Sequence, residues 1–264
     1  MRIAQITDTH VTTPGTLAFG CVDTLALLAA TVDHANRISP GLDAVVLTGD
    51  LTDMGRSEEY TALKPLLDRL AAPYFLLPGN HDDRDALRQA FDGHPGLAPP
   101  GPFMNLVVDH FPVRLIGLDT LLPGRHEGHL CPARLSWLEA RLSEAPQRPT
   151  MVFMHHPPFA TGIAHMDEMM LLRPGDLLAV LRRHPQVRHV AAGHVHRAVS
   201  TAVDGLAMSI APSSAHAVSL DLDPDAPATF TLEPPALRVF DVSPAGQVVS
   251  HLSPVGVFDG PHLF

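Results

Sequence analysis

Along most of the chain, short apolar runs that end abruptly in polar residues alternate with stretches of helical spacing. Residues 2–7 alternate and are β-rich, which predicts a first strand ending at Asp8-Thr9-His10. Residues 23–38 keep Leu25, Leu28, Ala29, Val32, Ala35 and Ile38 on one helical stripe, with Asp23 or Thr24 placed to cap it. Residues 43–48 contain the continuous apolar run Ala44-Val45-Val46-Leu47, the pattern of a strand buried on both faces, and stop at Gly49-Asp50. A second helix is expected over 57–70, with Ser57 as its cap. A third strand over 73–77 empties into Gly79-Asn80-His81-Asp82. Strand, helix, strand, helix, strand predicts a mostly parallel sheet with helices outside and functional groups at the carboxyl ends of the strands.

The middle of the chain repeats the theme less regularly. A short helix is expected over 85–91, and the Gly- and Pro-rich residues 93–102 read as loop. Residues 104–109 and 114–119 read as adjacent antiparallel strands, and 134–142 as a helix carrying Trp137. The apolar strand 150–154 ends at His155-His156, where Pro157-Pro158 turns the chain away. After a helix over 174–183, strand 187–192 ends at Gly193-His194-Val195-His196. From residue 198 the pattern is β only, over 198–203, 206–210, 229–232, 237–242 and 247–252. These strands are expected to form a second sheet packed on the first, with no boundary between domains. Residues 254–264, with Phe258 and Phe264, are expected to cover the site entrance or contact a neighbouring subunit.

Five strand ends therefore carry Asp8, His10, Asp50, Asn80, His155, His194 and His196. Asp-x-His and Gly-Asp alone are commonly a surface pair or a plain turn, Gly-Asn-His-Asp is rarer, and Gly-His-x-His after a strand is a fair metal signal because alternate residues face one side; their joint occurrence at strand ends points to metal. Carboxylate, imidazole and amide together suit zinc, manganese, iron or cobalt better than calcium or magnesium. Seven ligands exceed one tetrahedral site and suffice for two ions if a carboxylate is shared. Asp50, alone in its segment, is the natural bridge. Two cations roughly 3.5–4 Å apart would orient a phosphoryl group, acidify a water and stabilise attacking and leaving oxygens, so hydrolysis of a phosphate ester is the expected chemistry.

Composition narrows this further. The formal charge of −10, from 18 Lys+Arg against 28 Asp+Glu, argues against a partner that is a nucleic-acid polymer, but not against a small phosphate. Two cysteines, Cys21 and Cys131, make neither a disulfide framework nor a Cys-rich zinc site. No signal-peptide layout opens the sequence and no apolar run approaches the roughly 20 residues that cross a bilayer. A soluble, cytoplasmic protein without a membrane partner is expected.

Asp8-x-His10, Gly49-Asp50, Gly79-Asn80-His81-Asp82, His155-His156-Pro157 and Gly193-His194-x-His196 together resemble the full signature of the calcineurin-like metallophosphoesterases. Ile6-Thr7-Asp8-Thr9-His10, the run from Gly55 to Tyr60, Ser136-Trp137-Leu138-Glu139 and Phe153-Met154-His155-His156-Pro157-Pro158 resemble its class III cyclic-nucleotide phosphodiesterase and bacterial glycerophosphodiesterase branch, the latter more closely. The resemblance implies a four-layer αββα sandwich of two mixed sheets in one domain, 1–264, and two divalent ions (Fe, Mn, Zn or Co). It implies one ion on Asp8, His10, Asp50 and His196, and the other on Asp50, Asn80, His155 and His194. His81 is implied as the phosphate contact that assists the leaving group, His156 as a support behind the ligands, and Asn80 and His216 as substrate contacts. It further implies hydrolysis of a small glycerophosphodiester-like substrate, with a cyclic nucleotide as the alternative, and assembly into a homo-oligomer. Phosphomonoesterase, nuclease and non-catalytic scaffold are the other readings. Asp82 is expected to cap the next helix or to hold His81 or a ligand in orientation. Arg56 is within reach of a phosphate, but a surface role at the helix start is the default; Phe19 either lines the pocket or anchors its loop; and ordinary packing, rather than an adaptable apolar wall or interface, is expected of Met166, Met169 and Met170.

Overall fold

In the computed structural model, which describes residues 1–260, 262 and 263, strands and helices alternate before the chain closes in strands. β1 (Arg2–Ile6), α1 (Thr24–Arg37), β2 (Ala44–Thr48), α2 (Ser57–Leu67), β3 (Tyr74–Leu77) and α3 (Arg84–Ala90) form the opening unit. β4 (Leu106–Val108), β5 (Arg114–Leu118), β6 (Gly128–His129), α4 (Pro132–Glu144) and β7 (Thr150–Met154) follow. Next come α5 (Ala164–Asp167), β8 (Leu171–Leu172), α6 (Pro174–Leu181) and β9 (Val187–Ala192). The chain ends with β10 (Val199–Val203), β11 (Leu206–Ile210), β12 (Ala217–Val218), β13 (Phe230–Thr231), β14 (Ala236–Val242) and β15 (Val248–Pro254).

The local causes are those the sequence suggests. Asp23 caps α1 by accepting from Ala26 N at 3.0 Å, and Leu28, Val32 and Ala35 are its buried stripe. At α2 the cap is Arg56, not Ser57, because the Glu59 carboxylate reaches back to the backbone N–H groups of Arg56 and Met54. Arg56 itself is exposed there.

One sheet has the order β15-β14-β1-β2-β3 and the other β10-β11-β9-β7-β5-β4. β1–β2–β3 pair in parallel, as do β5–β7–β9–β11, while β4, β10, β14 and β15 are antiparallel, so both sheets are mixed. The expectation that the strands after residue 198 form a sheet of their own is corrected. β10 and β11 extend β9, with Met208 opposite Val190, whereas β14 and β15 cross to β1, with Phe240 opposite Ile3. Alternation of apolar residues tells which face of a strand is buried, not which open edge it will join. The β1 edge of one sheet and the β9 edge of the other were both open to further strands, and the C-terminal strands divided between them.

The side-chain period of two separates the layers. In β7, Met151 and Phe153 join the apolar cluster of the five-stranded sheet, α1 and α2; Val152 and Met154 join that of α4 and α6. Phe153 and Phe240 are fully buried and meet edge to face between the sheets, their rings 6.1 Å apart. Burying a side chain of this size stabilises by roughly 1.5–3 kcal/mol. Gln5 ties the sheets by donating to Thr48 Oγ1 at 2.9 Å and to the Ala192 carbonyl at 2.8 Å. The result is the expected four-layer αββα sandwich. Among the described residues no helix is long and apolar enough to cross a membrane.

Candidate metal centre

The carboxyl ends of β1, β2, β3, β7 and β9 lie on one rim, and the backbone there is unusual. Asp8 (φ 53°), His10 (42°), Asp50 (48°), His194 (74°) and His196 (58°) all adopt the left-handed region that costs residues with a Cβ. Strain of this kind persists where surrounding structure enforces it, and it concentrates at functional sites. Two glycines permit the close packing. A Cβ on Gly79 would collide with Asp50 Oδ1, and one on Gly193 with the Thr7 hydroxyl.

The side chains converge on two adjoining spots. His10 Nε2 lies 3.1 Å from His196 Nε2 and 3.7 Å from Asp50 Oδ2, and His196 Nε2 lies 3.4 Å from Asp8 Oδ1. His155 Nε2 lies 3.3 Å from the same Asp50 oxygen, 3.1 Å from Asn80 Oδ1 and 3.3 Å from His194 Nδ1. The remaining ring nitrogens are anchored. His155 Nδ1 donates to the Thr48 carbonyl at 2.8 Å, His196 Nδ1 donates to the His216 carbonyl at 3.0 Å, and His10 Nδ1 faces Asp53 Oδ1 at 3.3 Å. These anchors put the protons on Nδ1 and aim Nε2 lone pairs at one another. Two buried acceptors 3.1 Å apart require something positive between them. His194 Nε2 is also buried without a hydrogen-bond partner among the described residues. The donor set therefore fits divalent cations, and the nitrogen and oxygen mixture suits borderline metals.

Electrostatics point the same way. Burial alone would raise the Asp8 carboxyl, but His196 and His155 outweigh it and bring it down to about 2. Asp50, also desolvated, is held well below the usual carboxylate range by His155 and His81. Burial opposes a charge on His155, yet Asp50 and Asp8 carry it up to about 9. Burial and the His155 charge press His194 down to about 3. A positive charge is thus favoured where Asp50 and His155 meet.

Around this core, His81 and His216 flank His10, with ring centroids 4.7 Å and 5.5 Å away. His81 N donates to Asp50 Oδ1 at 2.9 Å and its Nδ1 donates to the Asp53 carbonyl at 2.7 Å. His156 has both nitrogens engaged, Nδ1 with the Thr120 hydroxyl at 2.7 Å and Nε2 with the His126 carbonyl at 3.0 Å. It therefore stands behind the cluster and has no lone pair free for a metal. Asp82 does not cap α3; Asp83 does. Asp82 accepts instead from the backbone of Gly79, Leu51 and Thr52 and from the Tyr60 hydroxyl, fastening the Asn80 turn to the Asp50 turn.

Sequence reasoning missed Asp53, whose carboxylate addresses His10 while its carbonyl holds His81; the only trace was a second acid three residues after Asp50. Away from the cluster, His184 is buried and paired with Glu139 at 2.9 Å. His34 bonds Ser253, His251 and His262 are exposed, and His129 and His165 are half-buried. His126 is exposed, with its ring 6.3 Å from His81. Met166 is core and Met169 packs against it. Phe264 lies outside the described residues.

A two-sheet αββα sandwich with a buried Asp/His cluster at its rim defines a metallophosphoesterase-type protein. The match to the calcineurin-like phosphoesterase family runs over residues 1–198. A probable glycerophosphodiester phosphodiesterase of Arcobacter nitrofigilis is 37% identical over 265 residues, covering 100% of this chain and 97% of the relative. The 3',5'-cyclic adenosine monophosphate phosphodiesterase of Escherichia coli is 31% identical over 238 residues, covering 88% and 85%. A dimetal phosphatase from Danio rerio, at 15% identity, shares the fold with a TM-score of 0.64 over 97% of this chain and 99% of that one. The chain belongs to the calcineurin-like phosphoesterase family, as the motifs between residues 8 and 196 indicate.

Proposed function

We propose that the chain is a dinuclear-metal phosphodiesterase acting on small diesters of the glycerophosphodiester type. The observation that carries this is the position of one Asp50 oxygen between the two histidine sets, 3.7 Å from His10 Nε2 and 3.3 Å from His155 Nε2. Asp8, His10, Asp50 and His196 would hold one ion, and Asp50, Asn80, His155 and His194 the other. Divalent cations there would supply Lewis acidity, neutralising phosphoryl oxygens and acidifying water. The remaining work belongs to side chains. Burial opposes protonation of His81, but Asp50 and the Asp53 carbonyl outweigh it and raise its pKa above the ordinary imidazole value. With Nδ1 tied to that carbonyl, Nε2 is the nitrogen that would donate a proton to the departing alkoxide. Asn80 contributes an uncharged oxygen to a site already rich in carboxylate, and with His81 and His216 it would bound the substrate. The relatives named above, two kinds of phosphodiesterase at 37% and 31% identity, support a diester. A cyclic-nucleotide substrate is the second reading, favoured by the aromatic rim described below. A single-domain chain that assembles through its C-terminal residues, in the cytoplasm, completes the proposal; sedimentation would test the assembly.

The test is hydrolysis of bis(p-nitrophenyl) phosphate, p-nitrophenyl phosphate, cyclic AMP and glycerophosphoethanolamine under one defined metal. The diesters are expected to be turned over and the monoester poorly. Preference for the monoester would reverse the assignment, and no metal uptake with no turnover would restore the non-catalytic scaffold.

A further inference from the structure

Beside the candidate centre lie two phenylalanines for which metal chemistry has no use. Phe19 stands in a tight turn closed by Ala18 and Val22, whose backbones exchange hydrogen bonds of 3.0 and 2.9 Å. Its φ is 51°, a conformation that a bulky residue adopts only under constraint, and it is 64% exposed. A turn that needed only this backbone would be served by Gly or Asn. Neither conformational preference nor burial accounts for a phenylalanine there.

The ring is not loose on the surface. It lies 4.9 Å from Phe230, tilted by 34°, and meets the His216 ring edge-on at 5.1 Å. Phe230 comes from β13 and packs against Ala18, Val22 and Ala215. Its strand pairs with β12, Val218 opposite Phe230. The segment leading into β12 is pinned to the end of β1, where Ser213 Oγ donates to the Asp8 carbonyl at 2.8 Å and Ser214 N to that of Thr7 at 3.2 Å. The aromatic pair therefore sits at a fixed offset from the candidate ligands, with His216 between them, its ring 4.4 Å from that of His196. His216 Nδ1 is buried without a hydrogen-bond partner among the described residues, a polar atom left over between the pair and the centre.

We propose that Phe19 and Phe230 form a stacking platform beside the centre that admits, in addition to open-chain glycerol diesters, diesters whose alcohol portion carries a planar ring such as a nucleobase. The proposal rests on the phosphodiesterase reading above. A base offers a π-face that stacks on an aromatic side chain whatever its hydrogen-bonding edge. A glycerol chain has no such face and keeps its hydroxyls in water, so the platform aids the first and leaves the second as it was, without any polar contact of its own.

The test compares kcat/KM on cyclic AMP and on glycerophosphoethanolamine for wild type, Phe19→Leu, Phe230→Leu and Phe19→Tyr, all with saturating manganese, alongside AMP binding by calorimetry. Each leucine variant is expected to lower the cyclic AMP to glycerol-diester ratio about tenfold, mainly through KM, and to weaken AMP binding by a similar factor. Phe19→Tyr keeps the planar face and should hold the ratio within about twofold. A ratio unmoved by both leucine variants overturns the platform. So does a tyrosine variant that loses as much as leucine, which would make turn shape the cause. Wild type inactive on every diester, including bis(p-nitrophenyl) phosphate, overturns the underlying phosphodiesterase reading instead.

Discussion

His81 and Asp53 divide two tasks over one small patch of backbone. His81 takes its orientation from the Asp53 carbonyl, and His10 takes part of its own from the Asp53 carboxylate. A proton delivered to an alkoxide matters more than one delivered to an aryloxide, because the alkoxide is the poorer leaving group. His81→Ala should therefore lose about a hundredfold or more on an alkyl diester and less than about tenfold on bis(p-nitrophenyl) phosphate, read as kcat. Equal losses on both would remove the proton-donor role. Asp53→Ala leaves His10 without its carboxylate partner and should weaken manganese binding roughly 10- to 100-fold by calorimetry, with Asp53→Asn losing less. Unchanged affinity in both variants would leave Asp53 as a bystander.

Between elements, the decisive contact is the one Asp82 makes from the Asn80 turn to the Asp50 turn. Burial and the nearby Asp50 charge push its carboxyl up to about 6, yet backbone and hydroxyl donors converge on it: the N–H groups of Gly79, Leu51 and Thr52, and the hydroxyls of Tyr60 and Thr52. Asp82→Ala strands those donors in a buried place. At about 1–3 kcal/mol for each unsatisfied group it should cost several kcal/mol, seen as a thermal shift of about 10 °C or more. Tyr60→Phe removes one donor and should cost only about 1 kcal/mol. Equal shifts for the two variants would contradict the staple. The same contact marks the limit of what the sequence made legible. Asp8, Asp50, Asn80, His155 and His194 could be found because each closes an apolar run, and a run that stops is visible in one dimension. Asp82 and Asp53 could not be assigned, because their partners are backbone groups on other turns. Nor could the C-terminal strands be allotted to sheets, since β14 and β11 carry similar patterns and differ only in the edge they meet.

Across the whole molecule, the layer between the sheets holds a group that makes stability depend on pH near neutrality. His189 on β9 is buried against Phe240 of the opposite sheet, their rings 5.0 Å apart, and its Nε2 is 2.8 Å from the Ser209 hydroxyl. Burial, with the Arg238 charge adding to it, lowers its pKa from 6.5 to about 4. The folded chain therefore binds fewer protons here than the unfolded chain between those values, and stability must rise with pH across that window. The contribution is fully present above about pH 6.5 and is lost as pH falls toward 4. Over the whole interval it amounts to about 3 kcal/mol, and to about 2 kcal/mol between pH 7 and 5. His189→Gln offers Ser209 a hydrogen-bonding partner that does not titrate. Urea unfolding of wild type and variant at pH 7 and 5 should show the wild type losing about 2 kcal/mol more on acidification, at unchanged m. Protons taken up at the rim histidines are common to both proteins and cancel in that difference. Parallel losses would mean that His189 is protonated within the fold, and that the interface between the sheets admits a charge its packing is expected to exclude.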